Sequence, residues 1–379
     1  MSVLDKKNKP GPRKLLALDG GGIRGVMALE VLAKIEAELQ QALGRGDDFV
    51  LADYFDYVAG TSTGAIIATC LSMGMRVDEV SDFYEKNGPA MFDKANLLRR
   101  FRNKFDDQKL KKKLQDVIKT KTGEEEATLG SEALRTYLML VLRNATTDSP
   151  WPISNNPEAK YNLRTHRHCN LVLPLWQLVR ASTAAPVYFP PEVVTVGPEL
   201  EFIFVDGGVT MYNNPAFQLF LMATVGEYKL GWATGEDKML LVSIGTGIAA
   251  NANKDLQPGE MNIIYNAASL PAAFMFAAAN EQDLLCRVFG KCLNGGQIDR
   301  EVWDVIGDKG RGPITPKLFT YMRYNADLTR DGLTELGLGH IEPRHVQKLD
   351  SVDHISELRE VGRAVARQVN IDHFEGFLQ

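Results

Sequence analysis

Cysteine is scarce, with four in 379 residues. Cys70, Cys169, Cys286 and Cys292 make no CxxC pair and have no histidine at ligand spacing. That pattern argues against a disulfide framework or structural zinc, and for reduced, buried thiols in an intracellular protein. No apolar run approaches the length needed to cross a bilayer. Met1 to Lys14 is polar and basic without an apolar leader, so no secretory signal is expected. An excess of positive charge is missing too. Forty-three Lys and Arg stand against 48 Asp and Glu, a net charge of -5, which argues against DNA or RNA binding by the whole chain. Internal repeats and low-complexity segments are also absent.

What the chain does have is glycine at the ends of apolar runs. Phe55 to Ala59 leads into Gly60-Thr61-Ser62-Thr63-Gly64, and a small-residue run suited to a helix follows. This is the strand–turn–helix setting of a nucleophile elbow, in which Gly60 and Gly64 leave room for a turn that pushes Ser62 outward. The same turn puts helix-start N–H groups where an oxyanion would form. A chance G-x-S-x-G in a loop would look the same locally.

A second glycine stretch follows the short apolar run Lys14 to Leu18: Asp19-Gly20-Gly21-Gly22-Ile23-Arg24-Gly25. Gly20, Gly22 and Gly25 fit the dinucleotide pattern G-x-G-x-x-G, but the next strand closes on Gly60-Thr61-Ser62 rather than on the acidic residue a ribose needs. The better reading is a strand-to-helix turn whose N–H groups bind an anion, helped by Arg24. A plain structural turn with Arg24 on the surface is the alternative. The third stretch is Phe202 to Val205, expected as a buried strand, ending in Asp206-Gly207-Gly208. Asp206 there could take the proton from Ser62, or be a turn aspartate bonded to its own backbone.

Further elements are expected in order. Residues 1–13 read as a disordered tail, Val26 to Leu43 as a helix, and 63–74 and 78–87 as helices. Between Lys94 and Lys121, eleven Lys or Arg face three Asp, interleaved with Phe92, Leu97, Leu98, Phe101, Phe105 and Leu110. That stretch is either a solvated helix face or an interfacial patch for anionic lipid. Tyr137 to Leu142 is expected as a strand, Asn144 to Tyr161 as a proline-marked loop, Leu175 to Ala185 as a helix and Lys238 to Ile244 as a buried strand. Ala272 to Ala279 reads as a core helix, and Asp350 to Val369 as a final amphipathic helix.

Together the three glycine motifs resemble the patatin-like phospholipase family, and Ala181-Ser182-Thr183-Ala184-Ala185-Pro186 with Phe189-Pro190 adds to the likeness. The resemblance covers roughly residues 14–250. It implies an α/β fold, a three-layer α/β/α arrangement with a central, mostly parallel sheet. It also implies a Ser62–Asp206 dyad acting through an acyl-enzyme, with Gly20, Gly21, Gly22, Arg24 and Gly25 as the oxyanion loop and Gly207 and Gly208 shaping the dyad turn. No calcium, other metal or cofactor is implied. Residues 14–250 are then the catalytic domain and 251–379 a mainly helical extension packed on it, carrying regulation or assembly.

The expected partner is membrane phospholipid, met by a cytoplasmic protein at the inner face of the membrane, with the 94–121 stretch as one contact. Some bacterial members of the family are silent until a cyclic nucleotide binds and then degrade the cell's own membrane in antiviral defence. The length and the C-terminal extension fit such an effector, homo-oligomeric or not, and fit a constitutive lipase as well. Other readings are an acyltransferase, an inactive lipid-binding scaffold, and a Ser62–Asp206–His340 triad in the chain order of α/β-hydrolases.

Overall fold

A computed structural model describes residues 3–92, 107–186, 189–249, 263–299, 301–307 and 314–379. Its strands are β1 (Arg13–Leu18), β2 (Tyr57–Thr61), β3 (Tyr137–Asn144), β4 (Ser149–Ser154), β5 (Glu192–Thr195), β6 (Glu201–Asp206), β7 (Met239–Ile244), β8 (Lys291–Asn294) and β9 (Thr320–Tyr324). The α-helices described are α1 (Val3–Lys7), α2 (Gly25–Ala42), α3 (Leu51–Tyr54), α4 (Thr63–Ser72), α5 (Val77–Phe92), α6 (Asp107–Thr122), α7 (Leu175–Ser182), α8 (Ala216–Thr224), α9 (Ile263–Phe289), α10 (Arg330–Glu335), α11 (Pro343–Gln347) and α12 (Ile355–Ala366).

Strand order is β5-β6-β3-β2-β1-β7-β9-β8, with β4 also on β3. The six strands from β3 to β8 run parallel, β4 and β6 run against them, and β5 pairs antiparallel with β6. Alternate residues feed two cores, as the period of two requires. Leu16, Leu18, Val58, Leu140, Val242 and Met322 meet one set of helices; Leu15, Ala17, Tyr57, Met139, Leu241 and Tyr321 face the other side. The fold is thus the expected mostly parallel sheet between helices, followed by a mainly helical C-terminal region.

Several expectations are corrected. Over the described residues, the N-terminal segment is no disordered tail. Lys6 of α1 is buried, and its ammonium donates to the carbonyls of Ala52 (2.7 Å) and Phe55 (2.6 Å) at the end of α3. A cation satisfying terminal helix carbonyls anchors the segment. Residues 291–324 supply β8 and β9 to the central sheet, so the region after residue 250 is more than an added helical layer. Strand β4 lies inside the expected loop. Its Pro150 and Pro152 pair with Arg143 and Val141 from an edge, where a missing N–H is tolerated. Strand β6 is only half buried, since Ile203 is exposed. Within 272–279, Phe274 is 69% exposed, so this stretch is a surface helix and not a core one.

Of the basic stretch, residues 94–106, including Leu97, Leu98, Phe101 and Phe105, lie outside the described residues, as does the side chain of Leu110. Phe92 is buried in the core, and α6 carries Lys119 and Lys121 in ion pairs with Glu125 and Glu79.

Candidate active site

The strand pairing brings two distant residues together. β4 occupies one edge of β3 over residues 139–144, so β2 and β6 must share the other edge. β2 pairs with 137–141 and runs parallel; β6 pairs with 142–144 and runs antiparallel. Their carboxyl ends therefore meet, with Thr61 opposite Val141 and Asp206 opposite Leu142.

Ser62 follows Thr61 at φ 54°, ψ −122°, a conformation L residues rarely adopt, and it starts α4. The turn closes because its flanks are glycine. A Cβ on Gly60 would collide with the Gly64 carbonyl, and one on Gly64 with the Leu18 carbonyl. Ser182 braces the elbow: its Oγ accepts from the Ser62 N–H (3.0 Å) and donates to the Val141 carbonyl (2.7 Å).

The Ser62 hydroxyl donates to Asp206 Oδ2 at 2.6 Å. Asp206 Oδ1 accepts the Gly208 N–H at 2.6 Å. Ser62 is 8% and Asp206 5% exposed. Burial pushes the Asp206 carboxyl up to about 6, against the opposing pull of its bonds from Ser62 and Gly208. Among the described residues, no histidine is bonded to either. His340 is exposed and pairs with Glu360 through Nε2 at 3.2 Å.

The glycine loop lies beside the elbow. The spot a Gly20 side chain would fill lies between the Asn213 carboxamide and Ser62 Cβ, the latter 3.3 Å away. Gly20 donates its N–H to the Asn213 carbonyl (3.1 Å), and Thr246 Oγ1 donates to the Gly20 carbonyl (2.6 Å). The Gly25 N–H closes onto Gly22 and Ile23. Of the expected loop donors, the amides of Gly21 and Gly22 take no partner among the described residues. Arg24 turns elsewhere: its guanidinium donates to the carbonyls of Gly21 (3.4 Å) and Gln347 (3.2 Å), and burial pushes it down to about 10. A cavity of about 130 Å³ beside the loop is lined by Asp19, Arg24, Asn213, Thr246, Met275 and Gln347, among others.

Sequence reasoning missed three groups here. Arg323 on β9 holds Asp19 in a buried two-pronged ion pair (2.8 Å from Nη1 to Oδ1) and also donates to Ser243 Oγ. Asn213 is 7% exposed, and its side-chain oxygen is buried without a partner among the described residues. Its signal is the Asn213-Asn214-Pro215 turn seven residues after Asp206. Ser182 sits in the quoted Ala181-to-Pro186 stretch, but nothing in the sequence ties it to Ser62.

The chain belongs to the patatin-like phospholipase family, whose profile matches residues 16–220, more than half its length. Patatin-17 of Solanum cardiophyllum is 28% identical over 263 residues, covering 63% of this chain and 62% of the relative. The match thus spans about three fifths of that relative's length. Patatin-T5 of Solanum tuberosum is 27% identical over 314 residues, covering 74% of this chain and 77% of the relative. Among solved structures, VipD from Legionella pneumophila overlays on 93% of this chain and 67% of its own, at 16% identity and a TM-score of 0.36.

Proposed function

We propose that this protein is a lipid acyl hydrolase, of the phospholipase A or lysophospholipase type, working through a Ser62–Asp206 dyad. The observation that carries the reading is the 2.6 Å bond from a strained, elbow-mounted Ser62 to a buried Asp206. Family membership supports an ester of a lipid as substrate.

In this mechanism Asp206, ionised above about pH 6, takes the Ser62 proton as Oγ attacks the ester carbonyl. The N–H groups of Gly21 and Gly22, unpartnered among the described residues, stabilise the oxyanion. A half-turn of the Asn213 carboxamide, whose ends are interchangeable in shape, adds an N–H donor beside Ser62. Arg24 buttresses the loop. Asp206 returns the proton to the leaving alcohol, then activates the water that frees the fatty acid from Ser62. No step calls on calcium or a cofactor. Val209 and Met211 just after the dyad turn, and Phe274 next to the Met275 that approaches Gly208, are exposed apolar residues suited to a peripheral lipid contact, a role also proposed for the 94–121 stretch.

The test is fatty-acid release from phospholipid vesicles by wild type and Ser62→Ala. Release by wild type alone supports the dyad; equal release by both sinks it. Acyl transfer to an added alcohol in place of free acid would make the protein an acyltransferase, and an acyl group trapped on Ser62 would rule out an inactive scaffold. The same assay with a panel of cyclic di- and trinucleotides, read beside the sedimentation profile, tests gating, the antiviral reading and homo-oligomer formation. Unchanged release would leave a constitutive lipase.

A further inference from the structure

Outside the dyad, one side-chain cluster has the chemistry of a metal site. His345 on α11, His354 just before α12 and Glu357 in its first turn converge, with their ligand atoms within 4.8 Å of one another. Both imidazoles point Nδ1 at the same carboxylate oxygen, Glu357 Oε2, at 3.1 Å for His345 and 2.7 Å for His354. The two rings stack with centroids 3.8 Å apart and planes 13° off parallel. Ligand atoms about 2.0–2.1 Å from a tetrahedral or octahedral ion lie roughly 2.9–3.4 Å apart; both His–Glu separations are already near that range, and side-chain rotation would bring the two imidazoles to it. All three side chains are half-exposed, which leaves a path for entry and room for water ligands.

We propose that His345, His354 and Glu357 bind a divalent first-row transition ion of the Zn2+ class. Two imidazoles and one carboxylate suit such an ion and do not suit Ca2+ or Mg2+, which prefer oxygen ligands. The site staples both ends of the strap 346–353, and that strap bears on the glycine loop. Leu349 accepts the Ile23 N–H at 3.0 Å, Gln347 accepts from Arg24, and a side chain on Gly22 (φ +60°) would collide with the Leu349 carbonyl. Filling the site therefore stiffens the loop beside Ser62. The spacing His-x8-His-x2-Glu matches none of the ligand patterns sought in the sequence, so only the fold shows the convergence.

The experiment is equilibrium dialysis of the full, tag-free chain against Zn2+, with Co2+ absorbance as a second probe, and needs no turnover. One ion per chain is expected, with affinity falling at least about tenfold in His345→Ala, His354→Ala and Glu357→Gln. It should persist in the His166→Ala/His168→Ala control, with circular dichroism confirming that each variant folds. Zn2+ should also slow hydrogen exchange of the Ile23 amide in wild type only. No binding, or binding that survives loss of both histidines, overturns the site. Binding that leaves Ile23 exchange unchanged overturns its coupling to the loop.

Discussion

Asp206→Asn should destroy activity and stabilise the protein, and the size of the second effect follows from the site. The native carboxyl titrates near 6, about two units above the ordinary aspartate value of 3.8. At 1.36 kcal/mol per unit, holding it ionised in the folded state costs about 3 kcal/mol at pH 8. Asparagine carries no charge to desolvate. Its oxygen can accept from the Gly208 N–H and its NH2 can donate to Ser62 Oγ, so both contacts persist. Unfolding entropy of about 2.1 cal/mol/K per residue over 379 residues turns that gain into a Tm rise of about 4 °C.

The pH dependence gives the sign. Between about pH 4 and 6 the native state binds a proton that the unfolded state has released, so wild type gains stability as pH falls through the native value of about 6. The advantage of Asp206→Asn is therefore full above pH 6 and gone below about pH 4. Differential scanning calorimetry of both proteins at pH 8, 6 and 4.5, beside lipid hydrolysis at pH 8, reads this directly. Loss of the base should cost about a thousandfold in kcat. A variant that is less stable than wild type at pH 8, or one that keeps its activity, would refute the reasoning.

Four further outcomes are expected. Arg323→Met leaves Asp19 unpaired in the core, and should lower stability by about 3–5 kcal/mol in a denaturant titration while abolishing hydrolysis. Asn213→Ala should reduce kcat by about a hundredfold with little change in KM, and Asn213→Asp should do worse by adding charge beside the oxyanion. Ser62→Gly and Ser62→Ala are both inactive, but the glycine variant should be about 1 kcal/mol more stable because it accepts φ 54° freely. His340→Ala should leave hydrolysis within about twofold, since an exposed His–Glu pair contributes under about 1 kcal/mol; a loss on the scale of Ser62→Ala would install a histidine triad.

The elements that sequence alone discloses are those whose signal is local. An apolar run into G-x-S-x-G specifies both β2 and the turn after it, and Asp206-Gly207-Gly208 ends β6 in the same way. What stayed hidden depends on partners far along the chain. Lys6 looks like part of a solvated tail until carbonyls 46 and 49 residues away close around its ammonium. Pro150 and Pro152 argue for a loop unless the strand is at an edge. Thr320–Tyr324 carries a buried arginine that sequence rules place outside, and only Asp19, 304 residues away, makes that burial tolerable.

That last pair shows why the chain cannot be divided at residue 250 into a complete catalyst and an accessory. Asp19 opens the glycine loop, and its countercharge stands on β9; the strap over Ile23 and Arg24 comes from 347–349. The proposed dyad depends on register along β3, because Ser62 and Asp206 are placed by pairings at Val141 and Leu142, adjacent residues on one strand. A one-residue slip of β6 would displace Asp206 by about 3.4 Å and turn its side chain to the other face. The 2.6 Å bond to Ser62 could not survive that. Ser182, bonded to both Ser62 and the Val141 carbonyl, stands where such a slip would begin. Its loss should therefore cost more activity than its single hydroxyl would suggest.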